Sequence, residues 1–297
     1  MIRDTVRFRS GTADIHAWHF RADRAPDEAD APCVVMAHGL AGTKDSGLAP
    51  FAEAFARAGI DTLAFDFRGF GDSGGAPRQK VSMRAQVDDY RAALSAARAL
   101  PGVDPARLVA WGVSLSGGHV FELAAETPAL AAAVALTPLV SGPAAAAHSV
   151  RERSPREFAS GVLDGVRSAA SRGTRRMPVV GPPGTHAALT SPGADESYRA
   201  IAGPSWRNEV DPGVLFELPS YRPARHARRI NVPMLVQIAD FDRSAPPDSA
   251  ARAAFDARAL VHRYPCDHFD VWPGTSHHTR AVEHQVRFVE RVVRQPL

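Results

Sequence analysis

The stretch Leu108-Val109-Ala110-Trp111-Gly112-Val113-Ser114-Leu115-Ser116-Gly117-Gly118 decides how the rest of the chain is read. Its first four residues are a short apolar run of the kind that forms a buried strand, and a helix is expected from Gly117 to Glu126. A serine held at a sharp strand-to-helix turn needs small residues two positions to either side, because the two arms of the backbone pass close together. Gly112 and Ser116 supply them around Ser114. In the other frame Ser114 and Gly118 flank Ser116, and each frame is one residue off Gly-x-Ser-x-Gly. Ser114 is favoured because it follows the strand directly and has glycine at minus two. Taken alone, the string also reads as a plain Gly/Ser turn opening a helix.

Outward from this turn the chain alternates strand and helix. Thr5 to Arg9 and Asp14 to Phe20 have period-two patterning around Ser10-Gly11 and predict an antiparallel hairpin. Strand Cys33 to Ala37, helix Leu48 to Ala58, strand Thr62 to Phe65 and helix Val81 to Leu100 precede the turn, and strand Ala132 to Leu136 follows its helix. The rhythm resumes with strand Met234 to Ala239, helix Pro247 to Ala257, strand Leu260 to Tyr264 and helix His277 to Val293. Such alternation predicts an α/β fold with a mostly parallel central sheet flanked by helices. The core is 1–140 and 231–297, and 141–230 is read as a helical lid insertion before the strand that leads to the acid.

In that insertion Ser154-Pro155-Arg156-Glu157 forms a capping box, followed by an apolar face of Phe158, Val162, Leu163 and Val166. Asp211-Pro212 announces a short helix carrying Val214, Leu215 and Leu218. The insertion holds 13 Arg against 8 acidic residues, read as a solvated outer face.

Composition narrows the classes. The 297 residues are 45% hydrophobic and 23% charged, which excludes a disordered tail or a collagen-like rod. The net charge of +3 comes from 35 basic and 32 acidic residues, with Lys only at Lys44 and Lys80, so a basic pI reflects arginine usage and gives weak grounds for nucleic acid. Cys33 and Cys266 form no disulfide framework. The charged N-terminus lacks the apolar segment of a signal peptide, and no apolar run reaches about 18 residues. The expectation is a cytoplasmic protein that binds neither membrane nor nucleic acid, acts on a small molecule, and works as a single chain or a homo-oligomer.

The partners of the serine come late in the chain. Strand Met234 to Ala239 runs into Asp240-Phe241-Asp242, and the last strand runs into Cys266-Asp267-His268-Phe269. Serine, acid, histidine is the order a hydrolytic triad takes on such a sheet. The spacing from Ala239 selects Asp242, with Asp240 in the same loop as the alternative. His277 and His278 fall where the last helix starts and are read as capping it or facing solvent. The histidines show no metal-ligand spacing, and Gly69, Gly71 and Gly74 lack the strand-to-helix context of a dinucleotide loop, so no metal and no cofactor is expected.

With His38-Gly39-Leu40, Asp66-Phe67-Arg68-Gly69-Phe70-Gly71-Asp72-Ser73-Gly74 and Gly117-Gly118-His119, the core resembles the α/β-hydrolase superfamily, in particular bacterial serine esterases and acyl-hydrolases with a helical lid. The resemblance implies Ser114 as nucleophile, His268 as base, Asp242 as its orienting acid, and the backbone N–H groups of Leu40 and Leu115 as oxyanion donors. It implies hydrolysis of a carboxylic ester or lactone of a small apolar molecule through an acyl-enzyme. A thioesterase, amide-bond or carbon–carbon bond hydrolase would use the same residues, and a non-catalytic ligand-binding protein could keep the scaffold. Phe158, Trp206 and Phe216 are the lid candidates for an apolar pocket wall.

Overall fold

The computed structural model describes residues 2–23, 29–152 and 175–294. β1 (Arg3–Ser10) and β2 (Ala13–Phe20) form the antiparallel hairpin, with Arg3 opposite Phe20 and Ser10 opposite Ala13. β1 alternates exposed with half-buried positions, as an edge strand with one wet face must. β3 (Ala31–Ala37), β4 (Asp61–Phe65), β5 (Val103–Val113), β6 (Ala132–Leu136), β7 (Met234–Ala239) and β8 (Leu260–Tyr264) complete one sheet in the order β1-β2-β4-β3-β5-β6-β7-β8. β3 to β8 run parallel, and β2 joins them antiparallel through β4. Every residue of β3, β4, β6 and β7 is buried, which is why β3 and β6 read as unbroken apolar runs and β4 and β7 as apolar runs interrupted by Asp61, Thr62 and Gln237, whereas β8 at the far edge exposes Leu260 and Val261.

Helices cover both faces. α1 (Ala49–Arg57) packs with α8 (His278–Val293), and α2 (Met83–Arg98) with α3 (Leu115–Glu126); α7 (Pro247–Asp256) lies against β7. The Tyr90 hydroxyl of α2 accepts the Trp111 N–H at 3.0 Å and lies 2.7 Å from the Val35 carbonyl, tying that helix to β5 and β3. Two buried amides and an indole are satisfied in series: Trp111 Nε1 donates to Gln285, Gln285 to Gln237, and Gln237 to the Tyr264 hydroxyl. Unpaired, each would carry a desolvation penalty of about 1–3 kcal/mol. His278 departs from its expected role: it is turned inward, edge-on to Phe51 at 4.7 Å, with Nδ1 3.1 Å from the Val271 carbonyl oxygen.

Between β6 and β7 the described residues hold α4 (Gly142–Glu152), α5 (Ala194–Ile201), the short α6 (Val214–Glu217) and 3-10 turns at Leu218–Ser220 and Pro223–Arg229. The rest of this described stretch is irregular chain with isolated bridges, Met177 to Val210 and Val180 to Leu189. Asp211 accepts the Gly213 N–H at 2.7 Å, the local turn that starts α6. Glu217 accepts the Met83 N–H at 2.8 Å, so the insertion caps α2, which starts two residues later than its periodicity suggests. The helix expected from Ser154, with Phe158, Val162, Leu163 and Val166, lies outside the described residues.

Candidate active site

Four loops meet at the carboxyl ends of the parallel strands, where open α/β sheets build their sites. At the end of β5, Ser114 stands between strand and helix with φ +57° and ψ −117°, a conformation that costs a non-glycine residue about 1–3 kcal/mol. The surroundings hold it there. Its N–H donates to the Leu136 carbonyl at 2.9 Å, and its own carbonyl accepts the N–H groups of Leu139 and Gly118 at 2.9 and 3.2 Å. α3 therefore begins at Leu115, directly after the strained residue and two positions before the start expected from sequence. The close approach explains the small neighbours: a Cβ on Gly112 would come within 2.4 Å of the Ser116 carbonyl oxygen, and one on Gly39 within 2.9 Å of the Ser114 Cβ.

The two serines have different surroundings. Ser116 is fully buried, and its hydroxyl lies 2.7 Å from the Ala37 carbonyl while accepting the Val113 N–H at 2.9 Å. Ser114 is partly exposed, and its hydroxyl makes no hydrogen bond among the described residues. Of the two, only Ser114 has a hydroxyl free to meet a ligand.

In the second loop Asp242 is buried with its Oδ2 2.7 Å from His268 Nδ1, and its Oδ1 accepts the N–H groups of Ser244 and Ala245 at 2.8 and 2.6 Å. Asp240 is directed elsewhere, accepting from Arg263 Nε at 2.7 Å. Asp267 accepts the His268 N–H at 2.7 Å and Arg243 Nε at 2.6 Å, which fixes the third loop. Burial alone would lower the pKa of His268, but the charge and hydrogen bond of Asp242, helped by the charge of Asp267, outweigh it and hold the imidazole above its ordinary value. No hydrogen bond joins His268 to Ser114 among the described residues; such contacts commonly tighten only when substrate binds.

The remaining loop follows β3. His38 is buried, donates from Nε2 to the Ser46 carbonyl at 2.9 Å, and is pushed down to about 4 by burial, with a smaller effect from nearby His268. It is neutral at pH 7 and adds no charge beside His268. The Leu40 N–H makes no hydrogen bond among the described residues. The Leu115 N–H, on the first residue of α3, has no intrahelical acceptor and lies at the positive end of that helix.

Several contributors left no readable signal in the sequence. Lys44 is completely buried, with Nζ 2.6 Å from both Asp66 and Asp72. His16, Asp66 and Asp72 bring ligand atoms within 4.8 Å of one another, and the Lys44 ammonium serves as the cation of the two carboxylates. Tyr221 of the insertion places its hydroxyl 3.1 Å from the Leu115 carbonyl and 2.8 Å from His119 Nδ1, seated where a Cβ on Gly118 would fall within 2.5 Å of it. Of the lid candidates, Trp206 is partly buried and stacked on Tyr198 at 5.2 Å, Phe216 is exposed, and Phe158 lies outside the described residues. A cavity of about 190 Å³ beside the His268 loop is lined by Ser197, Arg243, Asp267, Phe269 and Asp270 among others, and neither Ser114 nor His268 is part of its wall. No described helix is long and apolar enough to cross a membrane.

Residues 28–279 match the family described as serine aminopeptidase, S33. The chain is 32% identical to the quorum-quenching protein AidA of Acinetobacter baumannii over 291 residues, 97% of this chain and 94% of that protein. It is 36% identical to the thiohydrolase aneE of Aspergillus aculeatus over 133 residues, 42% of each. Among solved structures, the α/β hydrolase GrgF from Penicillium superposes with a TM-score of 0.81 over 99% of both chains at 20% identity, a likeness of fold alone.

Proposed function

The chain belongs to the serine aminopeptidase S33 family of α/β hydrolases, and from that premise we propose that it hydrolyses a carboxylic ester or lactone of a small molecule through an acyl-enzyme on Ser114. The observation that carries this reading is the buried 2.7 Å pairing of Asp242 with His268 Nδ1, which leaves Nε2 of that imidazole as the acceptor for a serine proton.

A serine hydroxyl is a poor nucleophile until a base takes its proton. In the proposed reaction Ser114 Oγ attacks the substrate carbonyl carbon as its proton passes to His268 Nε2, and Asp242 stabilises the imidazolium that forms. The carbonyl oxygen becomes an oxyanion facing the N–H groups of Leu40 and Leu115. Collapse expels the alcohol oxygen, which takes the proton from His268. Water then attacks the acyl-enzyme with His268 again as base, releasing the acid and restoring Ser114. A metal or cofactor has no part in this sequence, and the insertion over 141–230 is assigned the part of the lid.

Thioester hydrolysis is the second reading, favoured by the similarity to a thiohydrolase. The test is a panel of p-nitrophenyl esters, lactones, acyl thioesters and aminoacyl amides, run on the wild-type protein and on Ser114→Ala. Ester or lactone turnover is expected, with a loss on the order of 10⁴-fold or more in the variant. A strong preference for thioesters moves the assignment to the second reading, and full activity in Ser114→Ala removes Ser114 as nucleophile.

A further inference from the structure

Tyr198 lies on α5, 158 residues from Leu40, yet its buried hydroxyl donates to the Leu40 carbonyl at 2.7 Å. The hydroxyl has little freedom to go elsewhere. Its ring is stacked on Trp206 at 5.2 Å, meets Phe269 edge-on at 5.7 Å and is tilted against His38 at 6.1 Å.

The same segment grips the turn at two further points. Ser205 donates its N–H and its hydroxyl to Asp45 at 2.8 and 2.9 Å, and the Gly203 N–H donates to Ser46 Oγ at 3.1 Å. Gly203 is seated so closely that a Cβ there would come within 2.4 Å of Asp45. From the core side, the Lys44 N–H donates to Asp66 at 2.6 Å. Residues 40–46 are thus clamped between the sheet and the insertion.

This turn needs a clamp. Ala41 has φ +53°, a left-handed conformation that a residue with a Cβ holds only when its surroundings impose it. The Leu40–Ala41 peptide is the plane that would flip if Ala41 relaxed, and its carbonyl is the one Tyr198 holds. Leu40 therefore has its carbonyl anchored and its N–H unspent.

We propose that Tyr198 is a positioning residue that, through the Leu40 carbonyl, holds the turn after β3 so that the Leu40 N–H faces the oxyanion. The assignment rests on the Ser114 reading above. It makes the insertion a part of the catalytic geometry as well as a cover: a segment outside the core sheet sets the orientation of one of the two oxyanion donors. Tyr198 acts through the backbone and does not touch the reacting atoms.

The test compares wild-type protein with Tyr198→Phe, which removes only the hydroxyl, after thermal unfolding has shown both to be folded. Steady-state kinetics on the best ester, inhibition by a trifluoromethyl ketone and labelling of Ser114 by a fluorophosphonate are measured. The expected result is a fall in kcat of about ten-fold, a fraction of the roughly 10²–10³ lost when a whole oxyanion donor is deleted. A parallel loss of affinity for the ketone is expected, with KM and the acidic limb of the pH profile unchanged. A residue that merely supports the fold would move none of these selectively. Ser205→Ala, which loosens Asp45 in the same turn without touching Tyr198, is expected to show the same pattern more weakly and serves should Tyr198→Phe not fold. Unchanged kcat and ketone affinity in a folded variant, with wild-type protein active and labelled, overturn the proposal. Wild-type protein that neither labels at Ser114 nor turns over any substrate overturns the Ser114 reading, and this proposal with it.

Discussion

Ser116 and Ala37 meet in a buried hydrogen bond, the Ser116 hydroxyl lying 2.7 Å from the Ala37 carbonyl oxygen. It stands where glycine is usual in this turn, and its side chain links the strand-to-helix turn at the end of β5 to the end of β3, the two loops that carry Ser114 and Leu40. Ser116→Ala should therefore lower stability by about 1–3 kcal/mol, because a buried carbonyl and the Val113 N–H each lose a partner. Turnover of the best substrate should stay within a few-fold of wild type. Urea unfolding and steady-state kinetics read the two effects separately, and a loss as deep as that expected of Ser114→Ala would transfer the nucleophile to Ser116.

The His268–Asp242 pair sets the pH dependence. His268 must be neutral to accept a proton, and Asp242 and Asp267 hold its pKa above the ordinary 6.5, so kcat/KM should fall on the acidic side from a pH above that value. The same shift stabilises the fold fully below about 6.5, and that stabilisation is lost as pH rises through the raised folded-state value. Asp242→Asn should cost kcat about 10⁴-fold, since the amide no longer fixes the productive tautomer. An acidic limb lying below 6.5 would show that burial outweighs the charge of Asp242 at His268.

Lys44→Met should destabilise by about 3–5 kcal/mol, because it leaves the fully buried Asp66 carboxylate without its cation. Asp72→Asn should cost much less, since the Asp72 side chain is 51% exposed and water compensates it. Chemical denaturation of the two variants checks the order, and equal losses would show that Lys44 is held by packing rather than by charge.

Gly118→Ala sets two effects against one another. Alanine gains up to about 1 kcal/mol of helix propensity over glycine within α3. Its Cβ would come within 2.3 Å of the Leu139 carbonyl oxygen and 2.5 Å of the Tyr221 hydroxyl, neither of which can move freely. The clash should win, by about 1–3 kcal/mol net. A raised melting temperature would show that the insertion can lift away from α3 without loss.

Much of the fold was legible because its signals are local. The apolar runs of β3 and β6 and the largely apolar β4 and β7 announce strands buried on both faces, and β1 shows the alternation of an edge strand. Boundaries slipped where a neighbour decides them: α2 starts at Met83 because Glu217 of the insertion accepts that N–H, and α3 starts at Leu115 because the strained Ser114 runs straight into it. His278 departs from its expected place for a related reason. Its place at a helix start suggests solvent, but the packing of α1 on α8 brings Phe51 against it.

By itself the sequence determined the strand and helix order, the turn around Ser114 and the loops that bring Asp242 and His268, since each depends on periodicity or on small residues within a few positions. Only the tertiary structure decided which hydroxyl is spent, through Ala37, and which acid meets the imidazole, since Asp240 and Asp242 differ in what faces them rather than in their neighbours in the chain. It alone also placed Lys44 between two carboxylates and Tyr198 on the Leu40 carbonyl. Those contacts join residues 22 to 158 positions apart, and a side chain's partner across such a distance is set by how sheet, loops and insertion pack, which no local pattern encodes.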